Sequence, residues 1–356
     1  MSNFFKNFVE DLKDEDTSIV ADGLSAGEFS GTVDSGSYIL NALLSGSIYG
    51  GIPNNKVTAF AGESATGKTF FVLGAVKAFL DADPTAGVMY FDTEAAVTKE
   101  MMEDRGIDTT RVIVSEPQTI QQFRHNALRA IDMYDKTPKE KRPPFMFVLD
   151  SLGLLSTTKE LEDITEGKET RDMTKAQVIK AAFRVLTLKL AKAGIPMLVT
   201  NHVYEVIGSY IPQKEMGGGT GLKYAASTIV YLGKKKERDA TTKEITGIIV
   251  KASMFKSRLS KENSKAEILL SYTGGLDRYY GLLDLGIKYG LFSKEGTRVV
   301  TPQGKKVFAK HINQNPEEYF TPEILDQLDG FAKQEYSYGT TGPEMASEDI
   351  DTEEHA

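Results

Sequence analysis

The chain of 356 residues contains no cysteine. That absence excludes disulfides and thiolate-held metals, and it suits a reducing compartment. Also missing is any apolar run of the roughly 20 residues that a membrane-spanning helix needs. The opening residues Met1-Ser2-Asn3-Phe4-Phe5-Lys6 pass straight into acidic ones. They lack the order of a secretory signal, so a cytoplasmic location without membrane partners is expected. Positive charge is in deficit as well, with a net charge of −8. As a bulk figure this argues against a polyanionic partner, but the deficit sits at the ends. Residues 1–34 hold two basic and eight acidic side chains, and seven acids with no base follow Lys333. The body, 35–333, is left at +5, enough to meet phosphate backbones locally.

What is present is a phosphate-binding signature. Gly62-Glu63-Ser64-Ala65-Thr66-Gly67-Lys68-Thr69 fills every fixed position of G-x-x-x-x-G-K-[ST]. The apolar run Val57–Ala61 precedes it and a helical pattern over Thr69–Leu80 follows, which is the strand, Gly-rich turn and helix that the motif requires. Successive backbone N–H groups and the helix N-terminus would cradle phosphates. Lys68 would reach the β- and γ-phosphates, and the Thr69 hydroxyl would hold Mg²⁺. A nucleoside triphosphate is therefore the expected ligand.

The remainder alternates strand-like and helical runs. Strands are predicted at Val57–Ala61, Gly87–Phe91, Val112–Val114, Phe145–Leu149, Pro196–Thr200, Thr228–Leu232, Ile245–Val250 and Ala266–Tyr272. Helices are predicted at Thr69–Leu80, Gln118–Tyr134 and Arg171–Ala193, the last burying a stripe of Val178, Ala182, Val185 and Leu186. Alternating apolar strands and helices indicate an α/β core around a mainly parallel sheet, its later strands forming an antiparallel extension. The organisation expected is an N-terminal arm over 1–34, a core over 35–280, a small C-terminal subdomain over 281–335 and a disordered acidic tail over 336–356. The arm's apolar residues Phe4, Phe5, Phe8, Val9 and Leu12 cannot be buried within so short a stretch, so it must dock on something.

Three further segments carry chemistry. The apolar strand Phe145–Leu149 ends in Asp150, placed to hold Mg²⁺ beside the phosphate loop. Between the motifs lies Asp92-Thr93-Glu94, where a carboxylate leaving a neighbouring strand can activate the attacking water. Glu94 is the first choice and Asp92 the fallback, the alternative being an acid that merely caps a helix. Then Met197–Thr200 ends in Asn201 and His202, which suit a γ-phosphate sensor, and a long loop leads to Gly217-Gly218-Gly219-Thr220-Gly221. A second long loop, 156–172, follows Asp150. Two such loops from adjacent strands imply a binding surface switched by the nucleotide.

Taken in order, these motifs resemble those of the RecA-type recombinases, most closely the UvsX recombinases of tailed bacteriophages. The resemblance covers about residues 35–290. It includes Asp150-Ser151-Leu152-Gly153, Arg171-Asp172-Met173-Thr174, Met216–Gly221, Lys256-Ser257-Arg258 and Gly281-Leu282-Leu283-Asp284. It implies a RecA-like P-loop ATPase core and a DNA-dependent ATPase using ATP and Mg²⁺. The subunits would polymerise head to tail on single-stranded DNA and exchange strands with a homologous duplex in recombination, replication and repair. A non-closing heterologous interface gives such a helix. The resemblance makes Glu94 and Lys68 catalytic, and Asn201 and His202 the γ-phosphate sensor. Lys256 and Arg258 become cations reaching the neighbouring subunit's triphosphate, a role in trans like an arginine finger. Loops 156–172 and 203–220 correspond to DNA-binding loops, offering Arg171, Tyr204, Ile207, Tyr210, Gly217, Gly218, Gly219 and Thr220. The first loop holds three basic residues against six acids, a departure from simple electrostatic attraction. Aromatics in the second suit sequence-tolerant stacking. The acidic tail would compete with DNA for basic surface. Implied partners are a phage single-strand binding protein and a recombination mediator, in the host bacterial cytoplasm. The alternative is a ring-forming helicase on the same core.

Overall fold

The computed structural model describes residues 4–12, 17–20, 31–168, 172–205, 214–238 and 243–339. At its centre, six parallel strands run in the order Thr228–Arg238, Val57–Gly62, Met197–Glu205, Phe145–Asp150, Gly87–Asp92, Val112–Ser115. Beyond Thr228–Arg238 the sheet turns antiparallel through Ile245–Lys256, Lys265–Ser271 and Gly275–Leu276. This is the mainly parallel α/β core with an antiparallel extension that the sequence pattern implies.

Val57–Gly62, Phe145–Asp150 and the start of Met197–Glu205 are buried on both faces, which is why they read as unbroken apolar runs, whereas Val112–Ser115 at the edge leaves Ile113 and Val114 exposed. Alternate residues serve different cores. Phe60, Tyr90, Met146, Val148 and Leu198 pack with the helix Lys68–Ala82 on one face. Ala59, Ala61, Phe91, Phe147 and Val199 pack with the helices Ile120–Asp135 and Lys175–Ala193 on the other. A capping box of Thr119 and Gln122 starts the Ile120–Asp135 helix, satisfying its first amides from within the sequence. The Lys175–Ala193 helix ends at Gly194, whose φ of 70° suits a residue without a side chain.

That helix starts at Lys175, and its stripe differs from expectation. Ile179, Ala182, Phe183, Leu186 and Leu190 are buried, whereas Val185 is 42% exposed and Val178 only lines the core. The i, i+4, i+7, i+11 line of the large side chains Ile179, Phe183, Leu186 and Leu190 sets the buried face, and Val185 lies about 100° round from Leu186. Each such large side chain contributes roughly 1.5–3 kcal/mol on burial. The strands Thr228–Arg238 and Ile245–Lys256 outrun their expected ends at Leu232 and Val250. Past Leu232 the first is mainly exposed and carries polar side chains, so apolar residues no longer mark it; past Val250 the second alternates buried Ala252 and Met254 with Lys251 and Ser253, a half-buried pattern rather than an apolar run.

The C-terminal part holds a three-stranded antiparallel sheet and the helices Leu282–Lys288 and Pro322–Tyr336. Its Phe292, Phe320, Leu325 and Leu328 join Leu40, Leu43 and Leu44 in one continuous core. Buried Asp329 fixes the junction, accepting from Ser47 Oγ at 2.6 Å and the Ile48 amide at 2.9 Å. At the ends of the body, Thr32–Val33 pairs with Ile52–Pro53, Tyr336 is buried, and Tyr338 donates to the Ser257 carbonyl. Arm residues 31–34 and tail residues 336–339 thus pack on the body; 340–356 lie outside the described residues. No described helix is long and apolar enough to cross a membrane.

Candidate active site

The C-terminal edge of the parallel sheet gathers the predicted catalytic residues. Val57–Gly62 delivers the phosphate loop, and the helix after it begins at Lys68 behind Gly67, with no side-chain cap on its first amides. These donors and the positive end of the helix dipole are what an anion needs. Gly67 has φ 84°, and a Cβ there would stand 2.9 Å from Leu270 Cδ2, so conformation and close packing both require glycine. Lys68 Nζ donates to the Gly62 and Glu63 carbonyls at 3.0 and 2.9 Å. Burial, with the nearby Lys234, lowers the Lys68 pKa, while Glu94 and Asp150 act in the opposite sense.

Asp150 ends its strand beside this loop, 2% exposed. Its carboxylate accepts from Tyr90 Oη at 2.8 Å and from the Thr200 hydroxyl. Each neighbouring strand thereby holds one oxygen of the group. Burial and the neighbouring carboxylates push Tyr90 well above its ordinary pKa, keeping it a donor. Among the described residues no three His, Asp or Glu side chains converge to hold a metal. Thr69, in the first turn of the helix, and Asp150 would supply the one or two protein oxygens by which Mg²⁺ is usually bound, with phosphates and water completing the shell.

Asp92 and Glu94 take different parts. Asp92 is 3% exposed and accepts from the Glu94 and Val97 amides at 3.0 and 3.2 Å, so it shapes the turn that presents Glu94. Glu94 Oε1 accepts from Ser151 Oγ at 2.7 Å and lies 3.0 Å from His202 Nε2. Burial raises the Glu94 pKa, but hydrogen bonds from Ser151 and His202 and the charges of His202 and Lys68 outweigh it and hold the carboxyl below its usual range. Ser151 is itself positioned by Thr93, whose hydroxyl accepts from the Ser151 amide at 2.8 Å and donates to its carbonyl at 2.7 Å. The Ser151, Thr93, Tyr90 and Thr200 contacts escape sequence reading because no spacing rule links residues 50 or more apart.

Asn201 and His202 stand at the same edge. Asn201 Nδ2 donates to the Gly217 carbonyl at 2.9 Å, and the Gly217 amide to the His202 carbonyl at 3.0 Å. The loop that they close is thus clasped at its base, and Met197–Glu205 pairs with Lys214–Met216 above it. The glycine run after it packs closely against the Lys175–Ala193 helix: Gly218 has φ 82° and a Cβ there would meet Ile179 Cδ1 at 2.8 Å. Tyr204 is exposed on the strand. Arg171, Ile207 and Tyr210 lie outside the described residues, as does the Thr220 side chain. The 156–172 loop includes a short helix, Thr158–Thr165, begun by a Thr157–Glu160 capping box.

Lys256 and Arg258 are not brought to this chain's own phosphate loop. They lie toward the opposite edge of the sheet, where Lys256 Nζ donates to the Lys223 and Ala226 carbonyls at 2.6 and 2.7 Å. Burial and neighbouring Arg258 lower the Lys256 pKa. A cavity of about 630 Å³ there is lined by Arg258, Lys56, Lys180, Arg184, Leu188 and Tyr224, among others. None of its lining residues belongs to the phosphate loop or the Glu94 cluster.

Comparison with known proteins places these features in a family. Residues 13–277 match the model of the RecA N-terminal domain. A recombination and repair protein of Enterobacteria phage T4 is 33% identical over 256 residues, covering 72% of this chain and 63% of that protein's length. Protein RecA of Corynebacterium urealyticum is 27% identical over 314 residues, covering 86% and 78% of the two chains. Protein RecA of Thermus aquaticus is 27% identical over 289 residues, covering 79% and 81%.

Proposed function

This chain belongs to the RecA family, and from that premise we propose that it is a DNA-dependent ATPase that forms a helical filament on single-stranded DNA and exchanges strands with a homologous duplex. Recombination, recombination-dependent replication and repair in a bacterial cytoplasm are the setting, with a single-strand binding protein and a recombination mediator as partners. The observation that carries the reading is the contact between Glu94 and His202. It ties the candidate catalytic carboxylate to the strand that leads directly into the 203–220 loop, so DNA held by that loop can reach the chemistry through one side chain.

In this mechanism the phosphate-loop amides and the Lys68–Ala82 helix N-terminus bind the triphosphate, and Lys68 turns from its loop carbonyls to the β- and γ-oxygens. Thr69 and Asp150 would hold Mg²⁺, which would supply neutralisation of the negative charge that develops during transfer. Glu94, kept ionised, orients and deprotonates the attacking water, while Ser151 and His202 fix its direction. Lys256 and Arg258 serve the nucleotide of the adjacent subunit, which their distance from this chain's own loop supports. The helix Phe4–Leu12 buries none of its residues, and its exposed Phe4, Phe5, Phe8 and Leu12 suit an arm that packs on a neighbour. Tyr204 and the glycine-run amides would contact DNA.

The test is phosphate release from ATP with and without single-stranded DNA, for the native chain and Glu94→Gln, together with electron microscopy on DNA with a non-hydrolysable analogue. DNA-stimulated hydrolysis that Glu94→Gln abolishes while nucleotide still binds, with extended helical filaments, is expected. Closed six-fold rings would overturn the recombinase reading.

A further inference from the structure

Two ammonium groups, not one, grip the phosphate loop. Lys68 Nζ takes the Gly62 and Glu63 carbonyls, and Lys234 Nζ takes the next two, Ser64 at 3.2 Å and Ala65 at 3.1 Å. Four consecutive carbonyls are therefore tied to lysines. Because a trans peptide is planar, a carbonyl fixed on one side sends the following N–H to the other. Holding Gly62 to Ala65 in this way directs the amides of Glu63 to Thr66 away from the lysines, as an anion-cradling nest requires. The loop needs such support, since Ala65, a non-glycine residue, sits at φ 57°, where a Cβ is disfavoured.

We propose that Lys234 is a positioning residue for the phosphate loop, holding its outer carbonyls so that the amide cradle keeps its shape when Lys68 leaves for the phosphates. The inference rests on the nucleotide-binding reading above. Its core is topological. Thr228–Arg238 is a direct neighbour of the loop's own strand, with Leu232 opposite Gly62, and Lys234 lies two residues further on the same face of the strand. That places it above the loop. Once Lys68 turns inward, Lys234 is the ammonium still bonded to the Ser64–Ala65 turn. The same strand continues into the exposed hairpin with Ile245–Lys256, where Lys234 pairs in register with Val250. Lys234 thus also joins the hairpin mechanically to the nucleotide pocket.

The side chain of Lys235, one residue on, faces the other side of the strand, so Lys235→Ala removes the same charge without touching the loop. Affinity for a fluorescent ATP analogue, and KM and kcat with saturating single-stranded DNA, are measured for Lys234→Ala, Lys234→Arg and Lys235→Ala, with melting temperatures as a fold control. Losing a partly exposed charged hydrogen-bond pair should weaken nucleotide binding and raise KM by about 5- to 10-fold in Lys234→Ala, with kcat changed less than about 2-fold. Lys234→Arg should recover most of the affinity, and Lys235→Ala should match the native chain. Equal shifts in the two alanine variants would reduce Lys234 to bulk charge and overturn the proposal. Failure of the underlying reading is separately visible, because Lys68→Ala and the native chain would then bind the analogue alike.

Discussion

Ser151→Ala removes one hydroxyl and leaves the backbone pairing with Thr93 intact, so it isolates what Ser151 does for Glu94. In the native chain that hydroxyl donates to Glu94 Oε1 at 2.7 Å, alongside His202 Nε2 at 3.0 Å. A hydrogen bond to a charged group contributes about 1.5–3 kcal/mol. The lower end applies, because a quarter of the Glu94 side chain is exposed and solvent screens it. At 1.36 kcal/mol per pKa unit, about 1.5 kcal/mol corresponds to an upward move of about one unit. The direction follows from the balance at the site. Burial already pushes the carboxyl up, and the hydrogen bonds and charges that hold it down lose one member. A depressed carboxyl is ionised, and adds its stabilisation, above its ordinary range; both are lost as pH falls through the lowered value. The acidic limb of kcat against pH for DNA-stimulated phosphate release should therefore shift about one unit toward neutrality in Ser151→Ala. Near pH 8 Glu94 remains charged, so any fall in kcat there, expected at about 10-fold, reports lost orientation. Nucleotide affinity should be unchanged. An unmoved limb with native kcat would refute the claim that Ser151 tunes the carboxylate.

Tyr90→Phe leaves one Asp150 oxygen without its 2.8 Å donor; the Mg²⁺ concentration for half-maximal hydrolysis should rise several-fold, and chemical denaturation should show a loss of about 1–3 kcal/mol. An unaltered Mg²⁺ requirement would remove Tyr90 from the support of Asp150. Replacing Lys256 and Arg258 together with Ala should leave nucleotide binding measurable yet remove DNA stimulation of hydrolysis, and mixing this variant with excess Glu94→Gln chain should restore part of the rate if the cations act on a neighbour's nucleotide. No recovery would argue for action within one chain.

Much of the site is legible in the sequence because its parts are contiguous. The phosphate loop, Asp150 at the end of an apolar strand, and Asn201-His202 directly after the apolar run of another each need only a local pattern and a strand to carry it. The partners that make those residues work are dispersed: Ser151 meets Glu94 across 57 positions, Tyr90 meets Asp150 across 60, and Lys234 meets the loop across 170. Only strand order brings them together, and no periodicity encodes strand order. The fold shows the same division. Central strands announce themselves through burial on both faces, whereas Lys234-Lys235-Lys236 continues a strand with polar side chains because that part of the ribbon faces solvent on both sides. Val185 misled for a related reason: apolar residues on a long helix outnumber the positions its buried face can use.

Strand order also explains how one nucleotide can report to two surfaces. The phosphate-loop strand has only two neighbours in the sheet. One, Met197–Glu205, carries Asn201 and His202 and runs into the loop proposed to hold DNA. The other, Thr228–Arg238, carries Lys234 and turns back through Ile245–Lys256 to the cations proposed to serve the adjacent subunit. A change in the loop's position can therefore be felt at both neighbours, through Lys234 on one side and through the pairing of Gly62 with His202, which touches Glu94, on the other. In the proposed filament, DNA on one flank and a second subunit on the other would each bias the same few peptide groups, and linkage requires that nucleotide bias both in return. Cutting one flank should leave the other working: Lys234→Ala should weaken nucleotide binding while preserving the fold of DNA stimulation, because the Glu94–His202 contact is untouched. If stimulation fell in proportion to affinity, the two flanks would not be separate routes.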